Sequence, residues 1–561
     1  MNNLENHNNS HKLYYLIGSA LVSFCLVFHY LYGYYGHYGY DDVLGYMYQA
    51  TQVVHGDFTL GDDHYAYRWG IIFLTALSYS IFGIHDTAGA LMPMLITLST
   101  ALLVMWVLRK YALEVGILAV MIFTLNEWTL FYSDKVMPDI LVAFTGFGLF
   151  VVLWHLRYRA KEPSPVKYAL LFSSILLLAF LSKETIILLL PVFFLIFISD
   201  IKQGQYQKFW GLSILFSIIL FILYFSYIKL QTGSFMYRFK AIELGGYFNP
   251  CSYDQLPIEH MIERLTYGLL FLFTKLSLMV CLVLALPSLF HHKLKDLLNL
   301  SNEKAFWAVA LILSFLSSYY MTISYKTYIP MCGTDVRHYL YLVPLAVVSG
   351  APYLYEFFTE KKYAYILLGA LGVFILSYSQ SYEITYRSYL SILIVLSLRV
   401  LIPLNILRDK KHIPILLTIG LTIALALPSW FAMQYALTLE YTHQRDLIYK
   451  HLSPDAPQKT LVVTNSIQRN FGEYYMQFRK DSKVKFVTYE DSKNIDLNNY
   501  QEFYIFLNGH TRYGSGLDWE ELPKCVHDHF GGRHNPNFEV IDSYGKDRIL
   551  LCKIKDPNLL R

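Results

Sequence analysis

Apolar runs long enough to cross a bilayer fill most of the first 435 residues, and they commit the chain to a polytopic helical membrane protein. They fall near 13–33, 87–108, 112–130, 138–156, 167–182, 185–200, 208–229, 266–290, 304–322, 338–357, 363–379, 386–403 and 413–435. A span takes about 20 apolar residues, within a range of about 17 to 25. Composition agrees, with 55% hydrophobic and only 16% charged residues, against roughly 25% charged in soluble proteins. The net charge of +4 is spread over short loops without a basic block, so nucleic acid is not an expected partner. The 48 tyrosines and 38 phenylalanines suit interfacial aromatic belts, and equally the stacking of sugars. MNNLENHNNSHK leads into the first run without a small-residue cleavage signal, which reads as an uncleaved anchor.

One further run, 70–84 (GIIFLTALSYSIFGI), is about fifteen residues long and too short for a span. Basic residues decide how it counts, because cytoplasmic loops are rich in Lys and Arg. Leaving this run out and starting with the N-terminus inside, Arg109-Lys110, Arg157/Arg159/Lys161/Lys167, Lys202/Lys208, Lys293/Lys295/Lys304, Lys361-Lys362 and Arg408/Lys410/Lys411 all fall on one side. Counting it puts all of them outside. The expectation is therefore about thirteen spans, with 34–86, 131–137, 230–265, 323–337, 380–385 and everything after 436 on the outer face. The first outer loop then holds two juxtamembrane helices. In 41–54, Val43, Met47, Ala50 and Val54 form an apolar stripe at helical spacing, and 69–84 lies along the membrane surface.

The chain changes character from about 440. LVVTN (461–465), VKFVTY (484–489) and FYIFLN (503–508) read as strands. Helical stretches at 467–478 and 517–529 separate them, and FEVIDSYGKDRILLCKI closes as a hairpin. Alternating strands and helices make a small extracytoplasmic α/β domain over 437–561, following a transmembrane domain over 1–436. It has no Gly-rich phosphate loop, so no cofactor is assigned.

Asp41 and Asp42 open the amphipathic segment YDDVLGYMYQATQVVHGDF directly after the first span. Ionised carboxylates beside a bilayer are costly and therefore functional candidates. One acid can simply cap the helix, but capping does not account for the second. This segment, then YRWGIIFLTALSYSIFGIHDTAGALMPML, SDKVMPDILVAF, FLSKETIILLLP and DVRHYLYLVPL, resembles in order and spacing the membrane glycosyltransferases of the GT-C fold. The similarity is to the branch of protein O-mannosyltransferases and aminoarabinose lipid A transferases, and it covers about residues 14–350. It implies transfer of a sugar from a polyprenyl phosphate donor on the outer face of the cytoplasmic membrane. It also implies that Asp41 is the catalytic acid of the first loop, with Asp42 either the cap or a second ligand. An acceptor hydroxyl must lose its proton as it attacks the anomeric carbon, and a placed carboxylate supplies the base. Asp139, in the PD pair that opens the fourth span, is either a carboxylate placed for the helix dipole or a group that tunes Asp41.

A phosphate leaving group needs cations, and Arg68, Lys183, Arg337 and His338 lie at outer ends of different spans in this topology. Each has a plainer reading: Arg337 in an ion pair with Asp335, Lys183-Glu184 as a turn with a snorkelling lysine, Arg68 as a loop residue. His64 with Asp62-Asp63 could suggest a metal, since hard divalent cations take oxygen ligands. The branch resembled does not generally require one, so no metal is assigned and a polar loop is expected. The six cysteines include no CxxC pair, and Cys525 with Cys552, or Cys251 with Cys332, are open pairings. Two other classes compete with a transferase: a transporter or flippase of lipid-linked glycans, and a polymerase or ligase for surface polysaccharide. Transporters show internal repeats and midplane charges, and neither is seen here. The acceptor, whether lipid, protein or glycan, is not written in the sequence.

Overall fold

A computed structural model describes the backbone of residues 2–33, 41–244, 257–320, 336–378, 383–401, 412–437, 441–508, 527, 536–544 and 549–560. Side chains are described on that backbone except at 2–12, 41, 42, 320, 377, 378, 383–387, 428, 429, 431–437, 441, 559 and 560. The chain folds into two compact units. One joins Met1–Gly33, Thr59–Leu74 and Ala90–Gln434; the other joins Tyr34–Phe58, Thr75–Gly89 and Tyr435–Arg561.

The first unit is a helical bundle, and the expected apolar runs become its helices. Among the described residues seven are long and apolar enough to cross a membrane: Leu13–Gly33, Asp86–Leu108, Pro138–Tyr158, Pro165–Ser182, Glu184–Lys202, Gln207–Thr232 and Leu342–Glu360. The pair Ile258–Lys275 and Met279–Phe290 is bent by 117° where Ser277 adopts a φ of 60°, the shape of a broken span or of a re-entrant loop. Shorter apolar helices at Leu113–Thr124, Ala364–Leu376, Ser388–Leu401 and His412–Leu427 occupy further expected runs. The protein is thus a multi-pass membrane protein.

The helix Trp69–Phe82 has only 14 residues, about 21 Å at 1.5 Å per residue, well short of a 30 Å hydrocarbon core. Ile72, Ala76 and Tyr79 are buried, while Phe73, Leu77 and Ile81 face outward at i, i+4, i+8. That one-sided apolar stripe is what a helix lying against lipid presents.

Close helix crossings in the bundle use small residues. A Cβ on Gly350 would come within 2.8 Å of the Ala285 backbone, and the Ser288 and Ser349 hydroxyls share a 2.7 Å hydrogen bond at the same crossing. Gly70 serves the candidate site directly. A Cβ there would meet Leu141 at 2.9 Å and the Ser182 backbone at 3.3 Å, so only glycine lets the Arg68 segment lie against the end of the helix preceding Lys183.

The second unit contains a five-stranded sheet: β1 (Thr460–Thr464), β2 (Val484–Thr488), β3 (Glu502–Leu507), β4 (Phe538–Tyr544) and β5 (Ile549–Ile554). Its order is β2-β1-β3-β5-β4. β1 runs parallel to both neighbours, and the closing hairpin β4–β5 pairs antiparallel onto β3. Every residue of β1 is buried, as expected of a central parallel strand covered on both faces. After β1 the Asn465 carbonyl caps the helix Ser466–Tyr475 by accepting from Gln468 N. Cys552 lies in the sheet core; Cys251, Cys332 and Cys525, and with them both candidate disulfides, lie outside the described residues.

Asp41 and Asp42 begin the expected amphipathic helix, Asp41–His55. Val43, Met47 and Ala50 on its apolar stripe are fully buried. The side chains of the two acids lie outside the described residues.

Candidate functional site

Two adjacent residues with opposite charge organise the site in the first unit. The helix Pro165–Ser182 stops at Lys183, whose backbone is extended (φ −164°, ψ 145°), and a 3-10 turn, Glu184–Leu189, follows. This break sends the Lys183 and Glu184 side chains into two different polar networks.

In the first network the Lys183 ammonium donates to Asp139 Oδ1 at 2.7 Å and to His338 Nδ1 at 2.9 Å. An ammonium can only donate, so Nδ1 is the acceptor. Asp139 is held there because Pro138 starts the helix Pro138–Tyr158 and the acid falls in its first turn, where the macrodipole favours a carboxylate. Its second oxygen, Oδ2, is buried and accepts no hydrogen bond among the described residues. His338 and Arg337 come from a 3-10 turn, Arg337–Tyr339. The Arg337 guanidinium, half-buried, points Nε toward His338 Nε2 at 3.5 Å and Nη1 toward Met137 Sδ at 3.5 Å. Asp335, the alternative partner of Arg337, lies outside the described residues.

In the second network Glu184 bridges two arginines. Arg68, just before the helix Trp69–Phe82, forms an ion pair with Glu184 Oε2. Arg238 Nε donates to Glu184 Oε1 at 2.6 Å. Arg238 is completely buried and also donates to the Tyr224 hydroxyl at 2.9 Å and the Phe180 carbonyl at 2.6 Å. Its guanidinium lies 4.3 Å from the Phe180 ring centroid. Little in the sequence singles Arg238 out beyond its place in the aromatic loop sequence FMYRFK. A cation this deeply buried and satisfied is an anchor for Glu184 rather than a ligand group.

The networks therefore gather the four residues expected to hold a phosphate, Arg68, Lys183, Arg337 and His338, together with Asp139. Among the described residues, four basic side chains (Arg68, Lys183, Arg238, Arg337) and two carboxylates (Asp139, Glu184) meet in these networks. Lys183 sits in the break between two spans, and burial is the main cause that brings its ammonium down to about 8. Asp139 works in the opposite direction, while Arg337 and Arg68 add to the lowering.

Beside these, Asp134 accepts from Lys135 at 2.8 Å and lies 3.3 Å from His29. Burial would raise the Asp134 carboxyl, but Lys135 and His29 outweigh it and hold it at about 2. Asp62 accepts from the Tyr237 hydroxyl at 2.5 Å. Asp63 caps the turn His64–Tyr67 by accepting from Tyr65 N at 2.9 Å. These are loop-building roles.

The architecture is that of the GT-C glycosyltransferase fold. A solved structure of similar fold is ArnT from Cupriavidus metallidurans bound to undecaprenyl phosphate, with a TM-score of 0.57 at 11% identity over 96% of this chain and 98% of that one. The same protein in the apo state superposes with a TM-score of 0.56 at 11% identity, covering 98% and 99%. No family model and no curated protein matches the sequence. The fold is shared although few residues are.

Proposed function

We propose that this protein is an inverting glycosyltransferase that takes its sugar from a polyprenyl phosphate on the outer face of the cytoplasmic membrane. The observation that carries this reading is the gathering of Arg68, Arg337 and His338 around Lys183, on a fold shared with a protein solved with undecaprenyl phosphate bound. A leaving phosphate monoester carries close to two negative charges at neutral pH.

In the reaction a carboxylate of the Asp41-Asp42 pair takes the proton of the acceptor nucleophile. The acceptor oxygen bonds to the anomeric carbon as the bond from that carbon to the phosphate oxygen breaks, and the electron pair leaves on the phosphate. Arg337, Lys183 and Arg68 stabilise that developing anion. His338 and Asp139 hold Lys183 in place. Lipid, protein and glycan acceptors all offer suitable nucleophilic oxygens. No divalent metal is needed for this scheme.

The reading is tested by binding of undecaprenyl phosphate to the purified protein, which should be tight and should depend on pH. Lys183 must be charged to hold the phosphate, so affinity should fall as pH rises through about 8. The phosphate itself keeps its second charge above about pH 6, which leaves a usable window of about pH 7 to 9.5. Lys183→Arg, which does not titrate there, should flatten the profile. An unchanged fall in Lys183→Arg would assign the titration elsewhere.

Orientation has its own test. Cysteines introduced at Thr59 and Thr87, exposed residues on either side of Trp69–Phe82, should both label with an impermeant reagent from outside. Labelling from opposite sides would make the short helix a span and turn the site inward.

A further inference from the structure

The second unit joins the acidic helix to the C-terminal α/β body. The Tyr48 ring of Asp41–His55 meets Phe478 edge-on at a centroid distance of 5.2 Å. Just past the helix end, Asp57 pairs with Lys480 at 2.9 Å. A second grip in this unit is on Asp86, the first residue of the helix Asp86–Leu108, which is 3% exposed and accepts from Arg445 Nη1 at 3.3 Å. Arg445 belongs to the helix Tyr441–His451 that leads into β1.

The backbone at the first grip is strained. Gln477 and Phe478 are consecutive non-glycine residues at φ 58° and 50°, a left-handed region that such residues enter only when their surroundings hold them there. The strained pair follows the helix Ser466–Tyr475 and carries the ring that meets Tyr48. Strain of this kind gathers where a side chain must be aimed.

We propose that the C-terminal α/β body is the positioning device of the acidic pair: Phe478 is a positioning residue that fixes, through Tyr48, the helix carrying Asp41 and Asp42. The proposal rests on the reading that one of these acids is the base. A carboxylate displaced by about 1 Å from its proton loses up to about a hundredfold in rate without losing substrate affinity.

The test uses the full-length protein in detergent, with lipid-linked sugars and acceptor supplied by a crude envelope extract. Maximal rate is read as undecaprenyl phosphate released, and affinity as the Kd for added undecaprenyl phosphate. Phe478→Ala should lower the maximal rate about ten- to hundredfold with Kd within about twofold of wild type. Phe478→Tyr, which keeps the ring, should recover most of the rate. Lys555→Ala, in an exposed pair at the other end of the sheet, should match wild type. Retained Kd shows that a slow variant is folded. Full rate in Phe478→Ala, or a loss of affinity that parallels the loss of rate, overturns the positioning role. Asp41→Asn and Asp42→Asn run alongside: if both are dead while Phe478→Ala is at full speed, only the positioning proposal fails. If both are active, the choice of base fails and the proposal falls with it.

Discussion

Asp41→Asn should slow turnover by about a hundredfold or more, the scale of general-base loss, while undecaprenyl phosphate still binds. A hundredfold is about 2.7 kcal/mol in the barrier. The substitution is chosen to isolate chemistry from structure. Asparagine keeps the shape of aspartate and is itself favoured at helix starts, so the helix Asp41–His55 should still form. The stripe of Val43, Met47 and Ala50 that buries the helix is untouched. What disappears is an oxygen able to accept a proton. Asp139 is the competing base, but it already spends Oδ1 on Lys183, which suits an orienting role. Initial rates of sugar transfer for Asp41→Asn, Asp42→Asn and Asp139→Asn separate the three. A wild-type rate in Asp41→Asn beside a dead Asp42→Asn or Asp139→Asn would move the base to that residue and leave the class of enzyme standing.

The helical architecture is legible in the sequence because lipid imposes a length and a polarity on every span, and charge bias then orders the loops. The short run ending at Phe82 forms the 14-residue helix its length allows. The three strands and the closing hairpin are equally plain, since buried β-branched and aromatic runs such as Thr460–Thr464 and Val484–Thr488 have few alternatives. Less legible is the division into units. Tyr34–Phe58 and Thr75–Gly89 join the C-terminal body through contacts such as Tyr48 with Phe478 and Asp86 with Arg445, pairs hundreds of residues apart that no periodicity announces. The same holds within the site. Arg68, Lys183 and Arg337 stand out because cations are scarce at the expected outer span ends. Glu184 and Arg238, by contrast, acquire their roles only when the chain breaks at Lys183 and directs neighbouring side chains into separate networks. A local backbone break is not readable from composition.

Arg337→Ala should nearly abolish use of a polyprenyl phosphate sugar, and Arg337→Lys should already weaken it. Arg238 is consumed by Glu184, Tyr224 and Phe180, while Arg68 shares Glu184 with it. Arg337 stands half-buried, with Nε and Nη1 each 3.5 Å from His338 and Met137. A guanidinium grips phosphate oxygens through two parallel hydrogen bonds, a planar fork that an ammonium cannot reproduce, so the lysine variant keeps the charge and loses the geometry. Because the anion develops as the bond to the anomeric carbon breaks, the loss should be larger in the maximal rate than in donor affinity. The assay offers the purified protein a lipid-linked sugar or a nucleotide sugar with a crude envelope acceptor. The lipid-linked donor should be used by wild type, poorly by Arg337→Lys and scarcely by Arg337→Ala. The nucleotide sugar should fail with all three, since nucleotide donors are cytoplasmic and the proposed site faces outward. Transfer from the nucleotide sugar alone would overturn both the donor class and the orientation proposed for the site.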